Sequence, residues 1–424
     1  MDEYGKHITK LQILDYIMQL RDYQKDLSKQ GAEILRSLGI VYLAFECRVG
    51  KTLTSLELCK IYGAKKVLFT TKVKAIKSIE EDYKKAGYTF DLVISSKQSI
   101  HKVLENDFDV LISDEHHFSC GSFPKPSTLA KELKKRFGNI PMIFVSATPT
   151  PESFSQIFHQ YWISNHSPFK HKNFYQWAKE FVNVKQKHLG FKVMNDYSDA
   201  KQELIKPILE PYTLTFTQEQ AGFVNKINEH FIPVKMKQIT YQICNELLKN
   251  KLFKGNTTTI LADTGAKLQS KLHQLYSGTI KFEEGNSCIV DASKAIKIKQ
   301  MFEGNKIAIF YKFIAEKEML VDTFGDLVTD SIDEFNTTNK SIIGQIQSIR
   351  EGVKLDKAEA IVYLNIDFSA LSYWQGRDRM TTLDRKTSDI YWVFADGGIE
   401  AKIYKSVLNK KNYTLATFKK DFVY

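Results

Sequence analysis

Short apolar runs alternate with amphipathic stretches from about residue 40 onward. Five runs in the first part have the length of a buried strand, and they span 40–45, 66–71, 92–95, 110–113 and 142–145. The intervals between them carry apolar residues at helical spacing, and several end at a glycine. Continuous apolar strands that alternate with helices are typical of a parallel sheet covered on both faces. The first part of the chain is therefore predicted to be an α/β domain.

The same alternation returns later in the chain. The later apolar runs span 288–290, 307–311, 326–329, 342–346, 361–364 and 390–394. They predict a second α/β layer, whereas the stretch between the two layers is aromatic and basic and lacks a clear strand rhythm. We therefore predict three parts: an N-terminal domain at 1–165, an accessory or linker segment at 166–230 and a C-terminal domain at 231–424.

Four aromatic residues lie close together in the accessory segment, with lysines among them. They are Phe174, Tyr175, Trp177 and Phe181. Such residues could stack on nucleic-acid bases. Their helical spacing favours the other interpretation, in which they form the buried face of a helix.

Composition and charge narrow the class of protein. Of the 424 residues, 43% are hydrophobic, which suffices for packed cores. Sixty Lys and Arg residues against 49 Asp and Glu residues give a net charge of +11, which suits a polyanionic partner and equally a merely soluble basic protein. The five cysteines form no C-x-x-C pair, so a reducing compartment is expected. A polar N-terminus and the lack of a long apolar run predict a cytoplasmic protein without a membrane span.

A possible phosphate-binding loop lies between the first predicted strand and the helix that follows. It ends in Gly50, Lys51 and Thr52, and backbone N–H groups of Arg48, Val49 and Gly50 would face a polyphosphate at the helix N-terminus. Lys51 would contact the β- and γ-phosphates of ATP, and Thr52 would offer a hydroxyl to Mg²⁺. The alternative is an ordinary strand-to-helix turn that contains one lysine.

Adjacent carboxylates follow the strand at 110–113. Asp114 and Glu115 would lie at the carboxyl end of a buried strand, where parallel sheets bind ligands. There Asp114 would hold Mg²⁺ and Glu115 would position and deprotonate the attacking water. A solvated turn or a helix start is the alternative. Ser146 and Thr148 follow the next strand and could relay between this site and another element, or could belong to a proline-bounded turn.

In this order, the motifs resemble those of superfamily 2 helicases and translocases of the DExH type. Motifs I, II and III would be Gly50-Lys51-Thr52, Asp114-Glu115-His116-His117 and Ser146-Ala147-Thr148. The segments "FECRVGKT" and "LEPYTLTFTQEQAGF" look closest to compact phage Swi/Snf-like DNA-dependent ATPases. The loop departs from the usual G-x-x-x-x-G-K-[ST] pattern at Phe45, where that branch often replaces the glycine, and at Arg48.

Further segments extend the resemblance over nearly the whole chain. In "LRDYQKD", Gln24 matches a glutamine that reads adenine, and Thr70-Thr71-Lys72 looks like motif Ia. Motifs IV and V would be "IAIFYKF" and "SIREGVKL". The resemblance implies two RecA-like domains, each a mainly parallel sheet flanked by helices, with ATP and Mg²⁺ in a cleft between the domains and DNA bound across both.

Motif VI, with the usual pattern Q-x-x-G-R-x-x-R, fits "YWQGRDRM" in two registers. If Gln375 sets the register, Arg379 is the first arginine. If Gly376 sets it, Arg377 is the first arginine. Arg379 is the first choice for an arginine finger and Arg377 the second, and a charged helix face is the alternative to both.

The resemblance and the site residues together predict an ATP-dependent DNA helicase or translocase. Such an enzyme would couple ATP hydrolysis to movement on, or remodelling of, duplex or branched DNA, with a role in phage replication, recombination or repair. One alternative is a nucleotide-gated binding or loading factor without motor activity. Another is a basic nucleic-acid-binding protein whose nucleotide site is inactive.

Overall fold

The computed structural model describes residues 18–189, 192–223, 226–255, 258–349, 355–377, 380 and 387–409. The chain divides into two compact units, one ending at Gly222 and the other beginning at Phe223. Each unit contains a six-stranded sheet in which all neighbouring strands run parallel, with helices flanking it. The predicted fold class of two α/β domains is confirmed.

The first unit places five of its strands where the apolar runs predict them. Its strands are β1 (Ile40–Phe45), β2 (Lys66–Thr71), β3 (Asp91–Ser96), β4 (Val110–Ser113), β5 (Met142–Val145), β6 (Lys185–Leu189), β7 (Lys192–Asp196) and β8 (Thr213–Phe216). Its α-helices are α1 (Asp22–Leu38), α2 (Lys51–Tyr62), α3 (Ile76–Lys85), α4 (His116–Cys120), α5 (Thr128–Phe137), α6 (Ile157–Trp162), α7 (Phe174–Phe181) and α8 (Gln202–Leu209). The order in the sheet is β3-β2-β4-β5-β1-β8.

The structure groups residues 166–222 with the first sheet. Strand β8 pairs in parallel with β1, in a register that sets Tyr42 beside Thr213, and β6 and β7 form a separate antiparallel hairpin. In α7 the side chains of Phe174, Trp177 and Phe181 are buried, and Tyr175 is exposed. The prediction that these aromatic residues form a buried helix face is confirmed for three of the four.

The second unit repeats the layered arrangement. Its strands are β9 (Lys226–Val234), β10 (Leu252–Lys254), β11 (Thr259–Leu261), β12 (Thr279–Lys281), β13 (Ser287–Ile289), β14 (Ile307–Tyr311), β15 (Val328–Thr329), β16 (Ser341–Gln345), β17 (Ala360–Tyr363) and β18 (Thr387–Ala395). Its α-helices are α9 (Gln238–Asn250), α10 (Gly265–Ser277), α11 (Ser293–Met301), α12 (Ile314–Phe324), α13 (Ile332–Thr337), α14 (Ile346–Ile349), α15 (Ala370–Arg377) and α16 (Glu400–Leu408). The sheet order is β15-β16-β14-β17-β18-β9.

One predicted strand of the second layer belongs elsewhere. Residues 288 and 289 of the run at 288–290 lie in β13, which pairs antiparallel with β12 in a two-stranded ribbon outside the parallel sheet. All three residues of β13 are exposed, so the short apolar run marks a surface ribbon and not a buried strand. The edge position of the sheet is taken instead by β9, which begins at Lys226 within the segment predicted as accessory.

Each unit has its own apolar core. Trp177 and Tyr161 are fully buried in the first, and Trp392 stacks on Tyr363 with ring centroids 4.0 Å apart in the second. Across the described part of the chain, no helix combines the length and the apolar character needed to cross a bilayer.

Candidate active site

The predicted motifs of the first unit meet at one edge of its sheet. Strands β4, β5 and β1 are consecutive neighbours, and all run parallel. Their carboxyl ends therefore share an edge, which is where open parallel sheets bind ligands. The residues that follow these three strands are the carboxylates 114–115, the hydroxyl residues 146–148 and the loop 46–50.

The loop after β1 uses left-handed backbone at two positions. Arg48 has φ of 64° and Gly50, the N-cap of α2, has φ of 84°. A side chain in this region costs roughly 1–2 kcal/mol, which explains why related loops favour glycine where this chain has Arg48. The first N–H groups of α2 have no partner within the helix, so this end of a 12-residue helix suits an anion.

Lys51 folds back over the loop that precedes it. Its ammonium donates hydrogen bonds to the carbonyl oxygens of Phe45 at 3.2 Å and Glu46 at 2.8 Å. Asp114 follows β4 at the same edge of the sheet, and although burial raises the pKa of its carboxyl, the Lys51 ammonium lowers it. Two residues that the sequence assigns to ATP and Mg²⁺ are thus brought to one place.

The side chain of Gln24 packs against the end of the loop that follows β1. It is only 4% exposed, and its side-chain nitrogen lies 3.4 Å from the carbonyl oxygen of Gly50. Its side-chain oxygen accepts a hydrogen bond from the Arg21 N–H at 2.9 Å. The amide group thus holds the start of α1 against the end of the loop. The contact with adenine that the resemblance implies for Gln24 stays a prediction.

Asp114 is a half-buried carboxylate that accepts a hydrogen bond from a neutral donor. One of its oxygens accepts a hydrogen bond from the Thr71 hydroxyl at 2.8 Å. Burial raises the pKa of Asp114 and the adjacent carboxylate of Glu115 raises it further, while the ammonium groups of Lys97 and Lys51 lower it.

The adjacent carboxylates of Asp114 and Glu115 provide negative charge and oxygen ligands, and both suit Mg²⁺. This ion commonly binds one or two carboxylates together with substrate phosphates. Asp114 would hold the ion, together with the hydroxyl of Thr52, the second residue of α2.

Glu115 forms the turn from β4 into α4. Its φ is 42°, again in the left-handed region. Its carbonyl oxygen accepts a hydrogen bond from the Lys97 ammonium at 2.8 Å, and one oxygen of its carboxylate lies 3.5 Å from His117 Nδ1. The carboxylate is therefore directed towards His117 in α4.

The two histidines of the second motif play different structural parts. His116 is fully buried and stacks on Phe144, with ring centroids 3.9 Å apart. Its Nδ1 lies 2.9 Å from Ser113 Oγ. Burial lowers the pKa of His116 to about 3, so the ring is neutral at physiological pH. His117 Nδ1 lies 2.6 Å from Ser146 Oγ, which also accepts the Thr148 N–H at 3.0 Å. The second and third motifs are thereby joined through hydrogen bonds.

Two contacts of the site lie outside the predictions made from the sequence. Lys97 belongs to no recognisable motif, and a single lysine in a polar stretch carries no signal of its own. Gln218 follows β8: its backbone N–H donates to Glu46 Oε2 at 2.7 Å and its side chain donates to the Cys47 carbonyl at 3.0 Å. The segment after β8 thus contacts the loop that follows β1, although the two are far apart in sequence.

The second-unit candidates are only partly described. Arg377 ends α15, but its side chain is not among those described, and Arg379 and the motif V residues 350–354 lie outside the described residues. The neighbouring Gly376 has no room for a side chain, because a Cβ atom there would lie 2.2 Å from the Tyr363 hydroxyl. Tyr373, one turn earlier, donates a hydrogen bond to Glu229 at 2.7 Å and ties α15 to β9.

No protein-family model and no curated protein matches the chain. Solved structures with a similar arrangement include the Sulfolobus solfataricus SWI2/SNF2 ATPase core in complex with double-stranded DNA, at 16% identity, TM-score 0.42 and coverage of 96% of this chain and 94% of that chain. The Sulfolobus solfataricus SWI2/SNF2 ATPase core domain is similar at 14% identity, TM-score 0.41 and coverage of 96% and 91%. Values this low assign no activity to the chain, so the function depends on the residues of the site.

Proposed function

We propose that this chain is an ATP hydrolase that uses Mg²⁺. One observation carries the proposal: Lys51, at the start of α2, and the paired carboxylates Asp114 and Glu115 follow β1 and β4 at one edge of the same parallel sheet. A lysine on a phosphate-binding loop and paired carboxylates at the same sheet edge are the parts that phosphoryl transfer to water requires.

Each of these residues has a separate task. Lys51 and the N–H groups at the start of α2 bind the β- and γ-phosphates. Glu115 positions the attacking water and accepts its proton. Asp114 and the Thr52 hydroxyl would hold Mg²⁺, which would supply positive charge to offset the charge that develops on the phosphate oxygens. The left-handed backbone at Arg48 and Gly50 shapes the loop that receives the phosphates.

We further propose that DNA is the partner and that turnover drives movement along it or remodelling of it. The net charge of +11 suits the phosphate backbone, whose recognition is independent of sequence and sensitive to salt. Lys72 directly follows Thr71, which bonds Asp114, so a phosphate contact at Lys72 would adjoin the site. A nucleotide-gated binding factor would share these features, but it would not show DNA-dependent turnover.

ATP turnover against a panel of nucleic acids tests the proposal. The panel comprises no nucleic acid, single strand, duplex, fork, four-way junction and RNA. We expect duplex or branched DNA to stimulate turnover and added salt to weaken the stimulation. Binding of ATP without turnover on any member would leave the binding factor as the function, and no binding of ATP would exclude both.

A further inference from the structure

Lys97 is a buried lysine beside the carboxylates that the proposed chemistry does not use. It begins a short 3₁₀ helix, Lys97–Lys102, directly after β3, and it is only 7% exposed. Its ammonium donates a 2.8 Å hydrogen bond to the carbonyl oxygen of Glu115, which follows β4. Because β2 lies between β3 and β4, the side chain reaches across the end of one strand to make this contact.

The surroundings explain why an ammonium is tolerated there. A buried charge is stable only when it is paired and hydrogen-bonded. Burial lowers the pKa of Lys97, whereas Asp114 and Glu115 raise it, and the hydrogen bond of the ammonium is made to the Glu115 carbonyl, just before the start of α4. The lysine therefore neutralises part of the charge of the pair without bonding to either carboxylate group.

The backbone at Glu115 needs such a restraint. Its φ of 42° lies in a region that a residue with a side chain adopts only when its surroundings enforce it. The carbonyl oxygen of Glu115 accepts two hydrogen bonds, from the Phe118 N–H at 3.0 Å and from Lys97 at 2.8 Å. Together they fix the peptide plane after Glu115 and so limit the direction of its carboxylate.

We propose that Lys97 is a positioning residue for ATP hydrolysis: it holds the Glu115 peptide in its left-handed conformation and thereby places the carboxylate that activates water. Lys97 acts only through Glu115 and does not contact the substrate. The inference depends on the proposed function, because it assigns a residue to that same reaction.

A double-mutant cycle tests this role. Turnover is measured with Mg²⁺ and duplex DNA for the wild type, Lys97→Met, Glu115→Gln and the double variant, and nucleotide affinity is measured with a fluorescent ATP analogue. We expect Lys97→Met to lower kcat roughly ten- to hundredfold and to change nucleotide affinity by less than about threefold. The double variant should be no slower than Glu115→Gln alone, because both changes remove the same function.

The conservative variant and a matched control sharpen the result. Lys97→Arg keeps the charge and the donor and should recover most of the turnover. Lys102→Met makes the same change at the exposed end of the same short helix and, in the same assay, should leave kcat near that of the wild type. If Lys97→Met does not fold, Lys97→Gln replaces it in the same cycle.

Two outcomes would overturn the inference alone. One is a folded Lys97→Met variant with the kcat of the wild type. The other is a double variant whose kcat falls below that of Glu115→Gln by the same factor that Lys97→Met alone removes, because this would indicate independent effects. In both, the wild type still hydrolyses ATP. A wild type that does not hydrolyse ATP would instead refute the proposed function.

Discussion

The side-chain nitrogen of Gln24 occupies the space that a Cβ atom on Gly50 would need. A Cβ atom built at position 50 would lie 2.0 Å from it, closer than non-bonded atoms approach. Gly50 also has φ of 84°, where any residue with a side chain is strained. Two independent constraints, one steric and one conformational, therefore act on the last residue before α2.

Gly50→Ala should damage nucleotide binding more than an equally strained glycine elsewhere. Gly63, at the other end of α2, has φ of 90° but no atom within 4 Å of a built Cβ, so Gly63→Ala measures the conformational cost alone. We expect Gly63→Ala to lose roughly 1–2 kcal/mol of stability and keep ATP affinity. Gly50→Ala should lose a similar amount or more and at least roughly tenfold in ATP affinity, since the end of the Gln24 side chain must leave its place against the loop. Equal ATP affinities for the two variants would show that Gln24 does not constrain the loop.

Lys51→Ala should abolish ATP turnover in a folded protein. The lysine donates its hydrogen bonds to the backbone carbonyls of Phe45 and Glu46, so its loss removes the phosphate contact and little of the core. Turnover and circular dichroism of the same preparation check both parts, with Lys60→Ala, at an exposed position of the same helix, as the control. Near-normal turnover in folded Lys51→Ala protein would refute the phosphate-loop assignment.

Glu115→Gln should separate binding from hydrolysis. The amide has the shape of the carboxylate but cannot accept the proton of water, so kcat should fall roughly 10²- to 10⁴-fold. ATP and Mg²⁺ should still bind, since Lys51 and Asp114 remain, and the variant should stay trapped on DNA with ATP bound. Nucleotide affinity by fluorescence and single-turnover hydrolysis provide the measurements. A loss of ATP binding as complete as that of Lys51→Ala would make Glu115 a structural residue.

The packing of Gly376 bears on which arginine of motif VI contributes to turnover. The sequence alone favours Arg379, but a side chain at Gly376 would collide with the Tyr363 hydroxyl, which favours the register that pairs Gly376 with Arg377. We expect Arg377→Ala to lower DNA-stimulated turnover roughly a hundredfold or more with nearly intact ATP affinity, as for other arginine fingers. Arg379→Ala should do less to catalysis.

Stimulated turnover, ATP affinity and DNA affinity of the two arginine variants are measured side by side. The reverse ranking would restore the register set by Gln375. Two variants with near-normal turnover would mean that the segment is a charged helix face.

A buried ion pair in the second unit should make stability depend on pH once it is broken. Lys294 and Glu400 are both fully buried and bond to each other, burial raises the pKa of Glu400, and Lys294 lowers it. Lys294→Met should cost roughly 3–5 kcal/mol at neutral pH, because it leaves a buried carboxylate without its partner. Lys297→Met changes an exposed lysine of the same helix and should cost little.

The sign of the pH effect follows from the direction of the shift. With its pKa raised in the folded state, Glu400 keeps a proton that the unfolded chain releases, so unfolding is favoured as pH rises above the ordinary glutamate value. Lys294→Met should therefore be less stable at pH 8 than at pH 5, relative to the wild type. Urea unfolding of both proteins at the two pH values measures this, and a pH-independent difference would mean that Glu400 is not the cause.

Continuous apolar runs predicted the central strands and the edge strand β3, but they missed the edge strands β8 and β9. β1, β2, β4, β5 and β14 have the predicted bounds, because strands buried on both faces require unbroken apolar residues. The edge strands β8 and β9 mix apolar with polar and charged residues, since an edge is partly exposed, and they were not predicted. An unbroken apolar run therefore identifies a strand, and a strand whose apolar residues are interrupted by polar and charged ones is missed.

The residues of the candidate site also divide into those that the sequence predicts and those that it does not. Lys51, Asp114 and Glu115 stand next to buried strands within recognisable short motifs, so sequence alone could place them at one sheet edge. Lys97 and Gln218 reach the site only because distant segments fold beside it, and neither residue type nor spacing indicates that contact. A single sequence does not show which residues from distant segments come into contact in the folded protein.

A ribosome exposes β1 long before it exposes β8. Until Thr213 and the residues after it emerge, β1 has β5 on one side and an unpaired edge on the other, and an unpaired edge is a template for wrong pairing. A nascent chain halted near residue 165 would carry all the motifs of the first unit on an unfinished sheet. Expression of the unit by itself should therefore extend through residue 222, and the shorter fragment would be prone to aggregation in spite of its complete set of motifs.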